Sequence, residues 1–246
     1  MNISASFSSG VMTRDSGCGI RVSRRSFLGG SAAGVAWGIL GAATSLELIE
    51  PDMIGAQTNL TPDEALRHLM EGNERFATDK IAALGKSLNI LRQHTVEKQE
   101  PFAAVLSCAD SRVPVELVFD QTIGHLFVVR VAGNFTTPEI IGSLEYGAGV
   151  LGTRVILVLG HSSCGAVKAT MQGKPVPGQI SSLFAHIQPA VDRAHGDLGM
   201  AIKENAKIQA RLLSESSPVL SGMVKEGTLK IVAGYYDLGT GRVTLL

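Results

Sequence analysis

Two short apolar runs, each ending on a residue able to hold a metal, restrict the fold of this chain more than any other feature. Phe102-Ala-Ala-Val-Leu106 leads into Ser107-Cys108, and Arg154-Val-Ile-Leu-Val-Leu159 stops at Gly160-His161. A third run, His125-Leu-Phe-Val-Val-Arg130, has the same character. Strands apolar at successive positions are buried on both faces, the condition of a parallel sheet covered by helices. One helix is expected from Ser163. Another starts at Thr61, with Thr61 as N-cap, Pro62 in the first helical position and Glu64 closing a capping box. Leu66, Leu69, Met70 and Phe76 give that helix its apolar face. A further helix is expected over Ser87–Lys98, and a surface loop over Gly173–Gly178, with Pro175 and Pro177. Leu229–Tyr236 and Arg242–Leu246 flank the turn-rich stretch Asp237-Leu-Gly-Thr-Gly241, which reads as a hairpin. The expected class is α/β: a mostly parallel central β-sheet flanked by helices, with an N-terminal helical arm and a C-terminal edge hairpin.

In open α/β sheets small ligands bind beyond the carboxyl ends of the strands, where Cys108 and His161 both fall. His161-Ser-Ser-Cys164 brings an imidazole and a thiolate to one strand-to-helix turn. Cys108 from the other strand would complete a Cys₂His set, which suits zinc and leaves a fourth position open, the mark of a catalytic site. Taken alone, the His-x-x-Cys spacing is weak, because buried structural cysteines are common, and a disulfide between Cys108 and Cys164 is the alternative. The neighbours of Cys108 favour the metal. Asp110 and Arg112 follow it directly, where a bidentate pair fixes both side chains and keeps the carboxylate an acceptor. The plainer reading of that pair is an ordinary surface ion pair.

Cys108-Ala-Asp-Ser-Arg112 and Gly160-His-Ser-Ser-Cys-Gly-Ala166 together resemble the paired signature of bacterial β-class carbonic anhydrases. Gly72-Asn-Glu-Arg-Phe76, Arg130 with Gly133-Asn134, Ser143-Leu-Glu-Tyr146 and Gly234-Tyr-Tyr-Asp-Leu238 extend the likeness over roughly residues 60–246. The resemblance implies one Zn²⁺ per chain held by Cys108, His161 and Cys164, with Asp110 and Arg112 as the catalytic dyad. It implies a substrate pocket at Gln99, Phe127, Ala132, Tyr146 and Gly165, partly borrowed across an interface, and hence a homodimer or homotetramer. The implied reaction is hydration of carbon dioxide to bicarbonate. Zinc is expected to lower the pKa of its water far enough for ionisation near neutral pH, with Asp110 holding the hydrogen of the resulting hydroxide. Val105 stands where some bacterial members have a Trp that builds a non-catalytic bicarbonate site, so that site is not expected. The alternatives are a carbon disulfide or carbonyl sulfide hydrolase on the same fold, and a non-catalytic zinc-binding subunit, against which the intact dyad argues. A disulfide oxidoreductase lacks the usual Cys-x-x-Cys pairing. His68, His94, His186 and His195 have no ligand-spaced partner and read as solvated or core histidines, while His125 is a distant candidate for a proton relay.

The chain has 22 basic and 22 acidic residues in 246, and residues 1–56 hold four of each. So neutral a balance gives no field favouring nucleic acid or a membrane surface, and the expected partner is small, carbon dioxide or bicarbonate. Ser23-Arg-Arg-Ser-Phe-Leu-Gly29 opens an uncharged, Gly- and Ala-rich run to Leu46 that resembles a twin-arginine export signal. Residues 1–56 are therefore expected to be signal peptide and linker, and 57–246 the catalytic domain, exported to a periplasm or thylakoid lumen. An uncleaved membrane anchor is the alternative.

Overall fold

The computed structural model describes residues 58–83, 92, 93 and 95–246. The expected export signal lies outside the described residues, as does half of the helix expected over Ser87–Lys98, of which Arg92, Gln93 and Thr95 are helical. In chain order the elements are α1 (Pro62–Ala77), β1 (Ala103–Ser107), the single turn α2 (Val115–Val118), β2 (Leu126–Arg130) and α3 (Pro138–Glu145). They continue with β3 (Val155–His161), α4 (Gly165–Gln172), α5 (Phe184–Arg193), α6 (Leu198–Ser216), α7 (Pro218–Lys225), β4 (Lys230–Tyr236) and β5 (Val243–Leu245). A wide turn of π geometry at Tyr146–Val150 prolongs α3, and a 3₁₀ stretch at Gly178–Leu183 leads into α5. Among the described residues, no helix is long and apolar enough to cross a membrane.

The five strands form one sheet in the order β2-β1-β3-β4-β5, parallel except for the last pair. The α/β expectation and the edge hairpin are both met. Every residue of β1 and β3 is buried, as their unbroken apolar sequences require. The two-residue period sorts their side chains. Ala103, Val105, Val155, Leu157 and Leu159 pack with α1 and the Val113–Phe119 segment, while Ala104, Leu106, Ile156 and Val158 pack against α3, α6 and α7. Val105 is fully buried in the first of these clusters.

Helix starts follow local chemistry. The Thr61 capping box forms as expected, Asp197 caps α6 through Met200 N–H at 2.6 Å, and Ser217 caps α7 through Leu220 N–H at 3.0 Å. Strand β3 runs through His161, which pairs with Tyr236 of β4. The next helix therefore begins at Gly165, two residues later than expected, because Ser163 takes a left-handed φ of 56° to turn the chain.

The Gly72–Phe76 stretch locks α1 to the far end of the chain. An added Cβ at Gly72 would stand 1.9 Å from the carbonyl oxygen of Phe119, so only glycine allows this approach. Asn73 is 3% exposed and fully engaged. Its Nδ2 donates to the carbonyls of Val118 (3.1 Å) and Gly241 (2.9 Å), and its Oδ1 accepts from Val243 N–H at 2.7 Å. Arg75 Nε pairs at 2.5 Å with Asp120, a fully buried carboxylate that also accepts from the N–H groups of Ala82 and Ala83. Asn73→Ala would strand a buried N–H and two carbonyls, so a loss of about 2–4 kcal/mol is expected. Urea unfolding measures it; an unchanged midpoint would contradict the role given to Asn73.

Candidate metal centre

Strands β1 and β3 are hydrogen-bonded neighbours, with Ser107 opposite Leu159. Cys108 therefore leaves β1 beside Gly160, and His161 follows by one step on the adjoining strand. The left-handed Ser163 folds the chain back so that Cys164 becomes the N-cap of α4. The three ligand-type atoms lie within 4.8 Å of one another, and all three residues are buried. Cys108 Sγ and Cys164 Sγ are 4.0 Å apart and form no disulfide. Two sulfurs at ~2.3 Å from a tetrahedral zinc would be separated by about 3.8 Å, so the spacing suits the ion. His161 is fully buried, and its Nδ1 lies 3.0 Å from the carbonyl oxygen of Ser162, which makes Nδ1 the protonated nitrogen. Its Nε2 is buried with no hydrogen-bond partner, aimed within the same cluster. An orphaned imidazole lone pair beside two thiols is the donor set of a metal site.

The thiols are close enough for one to donate to the other. The hydrogen bond from Cys164 pulls Cys108 down to about 4, aided by His161 and by Gly133 N–H, which donates to Cys108 Sγ at 3.3 Å. The same contact and burial push Cys164 up, while the N–H groups of Ala166 and Val167 at the start of α4 oppose the rise.

Above the ligands, Arg112 holds Asp110 in a bidentate grip: Nε donates to Oδ1 at 2.9 Å and Nη2 to Oδ2 at 2.7 Å. The Arg112 backbone N–H adds a bond of 2.9 Å to Oδ1. These bonds, the guanidinium first, hold the Asp110 carboxyl well below the usual carboxylate range. Asp110 Oδ2 stands 3.8 Å from His161 Nε2, so the carboxylate faces the space between the ligands. Sequence spacing suggested this pair; its direction toward His161 comes only from the fold.

The expected pocket residues separate into two groups. Ala132 adjoins Gly133, whose N–H reaches Cys108, and Gly165 follows Cys164. Gln99 and Tyr146 instead line a cavity of ≈ 420 Å³ with Val96, Ile123 and Leu126, and no ligand residue is among its walls. The Phe127 ring centroid is 6.3 Å from that of Tyr146, which assigns Phe127 to this second group. His125 sits at the opposite end of the parallel strands: its carbonyl bonds Phe102 N–H, whereas Arg130, at the other end of β2, lies beside Ser107. Five residues at ~3.3 Å each put His125 roughly 16 Å from the metal end, so it is no relay within its own chain. His186 stacks on Phe135 with centroids 4.4 Å apart, and His68 lies against Phe102 at 4.8 Å, both as packed rings.

One contributor had no assigned role. Arg130 Nε donates to the Cys108 carbonyl at 3.0 Å and its Nη2 to the Asp110 carbonyl at 2.6 Å, bracing the loop that bears both residues. Its position at the end of a strand neighbouring β1 was the available signal.

The sequence profile of the family described as carbonic anhydrase matches residues 103–243. Carbonic anhydrase 2 of Mycobacterium tuberculosis is 34% identical over 195 residues, covering 76% of this chain and 94% of that protein. Among solved structures, a Coccomyxa β-carbonic anhydrase in complex with acetazolamide superposes with a TM-score of 0.59 at 26% identity, covering 74% of this chain and 86% of that one. One of two tetrameric β-carbonic anhydrases from Sordaria macrospora matches with a TM-score of 0.60 at 19% identity, over 74% of this chain and 96% of that one.

With Cys108 pulled down and Cys164 pushed up, the metal-free protein at pH 7 is expected to hold one thiolate and one thiol. Zinc uptake at that pH should release about one proton from the pair, since both sulfurs must be thiolates to ligate. Titration in weakly buffered solution counts it, and a release of about two would show that Cys108 is protonated beforehand.

Proposed function

The chain belongs to the β-class carbonic anhydrase family, and from that premise we propose how its residues divide the work. The enzyme catalyses the zinc-dependent, reversible hydration of carbon dioxide to bicarbonate and a proton. Cys108, His161 and Cys164 hold the zinc, and Asp110 with Arg112 forms the dyad that positions the nucleophile. The observation that supports this assignment most is the buried, unpartnered His161 Nε2 between two sulfurs and beneath a carboxylate locked as an acceptor. When bound, zinc supplies Lewis acidity that makes water acidic enough to serve as a nucleophile near neutral pH.

The remaining steps fall to protein groups. Asp110 accepts the hydrogen of the nucleophile on Oδ2, which turns an oxygen lone pair toward the carbon of carbon dioxide. Arg112 prevents Asp110 from taking up a proton of its own, so the carboxylate stays an acceptor over the working pH range. Arg130 keeps the Cys108–Asp110 loop from drifting through its two carbonyl contacts. Ala132 and Gly165 border the substrate from the ligand loops, with Gly165 exposed beside Cys164.

Gln99, Phe127 and Tyr146 reach the substrate across an interface, the Gln99 amide meeting bicarbonate. This makes the working unit a homodimer or a homotetramer built from dimers. Support comes from β2, the edge strand of the sheet, and from the exposed Val96, Ile123 and Tyr146 around the cavity beside it. The tetrameric Sordaria relative is consistent with it. Residues 1–56 act as a twin-arginine-type export signal and linker ahead of the catalytic domain at 57–246, on the strength of Arg24, Arg25 and the uncharged run after them.

Cys108→Ser should lose zinc and hydration together. Asp110→Asn should keep zinc while kcat/KM falls about 10- to 100-fold, as for other groups that orient a metal site from outside its ligand set. Stopped-flow hydration with zinc analysis of the same sample decides both; a fully active Asn variant would remove the dyad. Replacing Arg24 and Arg25 by Lys should strand the precursor in the cytoplasm, and unchanged export on cell fractionation would sink the signal assignment.

A further inference from the structure

Asn205 and Gln209 stand one turn apart in the middle of α6, each 1% exposed. Their helix neighbours Ala201, Ile202, Ala206 and Leu213 are buried and apolar. Two primary amides in such surroundings are costly unless every polar atom is engaged. Here they are. Gln209 Oε1 accepts from the N–H (2.9 Å) and hydroxyl (2.8 Å) of Thr136. Gln209 Nε2 donates to the His186 carbonyl at 3.2 Å and to Asn205 Oδ1 at 3.3 Å. Asn205, oriented in this way, donates through Nδ2 to the Gly133 carbonyl at 2.8 Å.

Gly133 is the residue whose N–H meets Cys108 Sγ. It occupies the third position of a turn closed by Asn134 N–H and the Val131 carbonyl, with a φ of +91°. An added Cβ there would come within 2.6 Å of Ile187 Cδ1, so no side chain of its own can anchor it. Its aim depends on the turn and on the grip of Asn205. An N–H donated to a thiolate withdraws electron density from the sulfur and so tunes the metal it ligates.

We infer that Asn205, with Gln209 behind it, is a positioning residue for the metal centre: by fixing the Gly133 carbonyl it aims the Gly133 N–H at Cys108 Sγ and sets the charge that thiolate delivers to zinc. The inference rests on the reading of Cys108 as a zinc ligand. Asn205 touches neither substrate nor metal. A merely structural network would hold α6 to the Gly133–Thr136 loop and stabilise the protein, leaving the metal's electronic signature unchanged.

The test uses the full chain with zinc replaced by cobalt(II), whose thiolate-to-metal charge-transfer absorption reports sulfur donation directly. In Asn205→Leu, which keeps the branched shape but lacks the donor, that band should shift, and zinc affinity measured against a chromophoric chelator should fall about 10- to 100-fold. Asn205→Ser, whose hydroxyl can reach Gly133 through a water, should fall between Leu and wild type; it supplies the same comparison should the Leu variant fail to fold. Leu213→Ala removes a fully buried side chain from the same helix away from this loop, and should lower Tm while leaving band and affinity in place. A folded Asn205 variant with unchanged band and affinity overturns the inference. So does a Leu213→Ala variant that moves both as far, since destabilisation alone would then explain the effect. A wild-type cobalt protein with no thiolate band would reject Cys108 and Cys164 as ligands, and this inference with them.

Discussion

Adjacency of two parallel strand ends is the constraint on which the site depends. Neighbouring strands lie about 4.8 Å apart, so residues just beyond the ends of β1 and β3 are close without any loop having to reach. Cys108 leaves one strand, His161 ends the other, and the backward turn at Ser163 returns Cys164 to the same point. The neighbours of β1 and β3 then supply the support. On one side β2 delivers Arg130 and the Gly133 turn, and over the outer face α6 delivers Asn205. The metal site is thus the place where the sheet's hydrogen-bond register is read out as chemistry.

The support divides its donors economically between two cations. Arg112 directs Nε and Nη2 to the Asp110 carboxylate, with a longer contact of 3.4 Å from Nη2 to the Ser163 carbonyl, whereas Arg130 engages the backbone carbonyls of Cys108 and Asp110. The loop is therefore braced through its backbone as well as through the Asp110–Arg112 pair. Asp110 faces His161 Nε2 across 3.8 Å.

Much of this was legible in the sequence because it is local. Strand ends, a ligand spaced three residues from its partner, and an acid two residues from a base leave short-range marks, so Cys108, His161, Cys164, Asp110 and Arg112 stand out before any fold is known. What the sequence hid is set by strand order and by contacts far along the chain. Nothing in Arg130 says that β2 lies beside β1, and nothing in α6 says that Asn205 meets a turn 72 residues away. His125, named only as a distant candidate for a proton relay, stands at the opposite end of β2 from Arg130, which the sequence does not reveal because it does not say at which end of the sheet the ligands meet. Boundaries shifted for conformational reasons, as where β3 extends through His161 because β4 offers it a partner.

The clamp between Asn73 and the final hairpin has a temporal consequence. Its hydrogen bonds to Gly241 and Val243 span 168 and 170 residues of chain, so the clamp on the first helix described closes only when the last strand has been made. Emerging from the ribosome, α1 can pack early against β1 and the Val113–Phe119 segment, whereas the loop-closure entropy of joining it to the final hairpin is met only at the end. The nascent chain thus carries an internal check on completeness: a product cut short before β5 leaves the Asn73 side chain without two of its three partners, so the seat of α1 is left open along one edge.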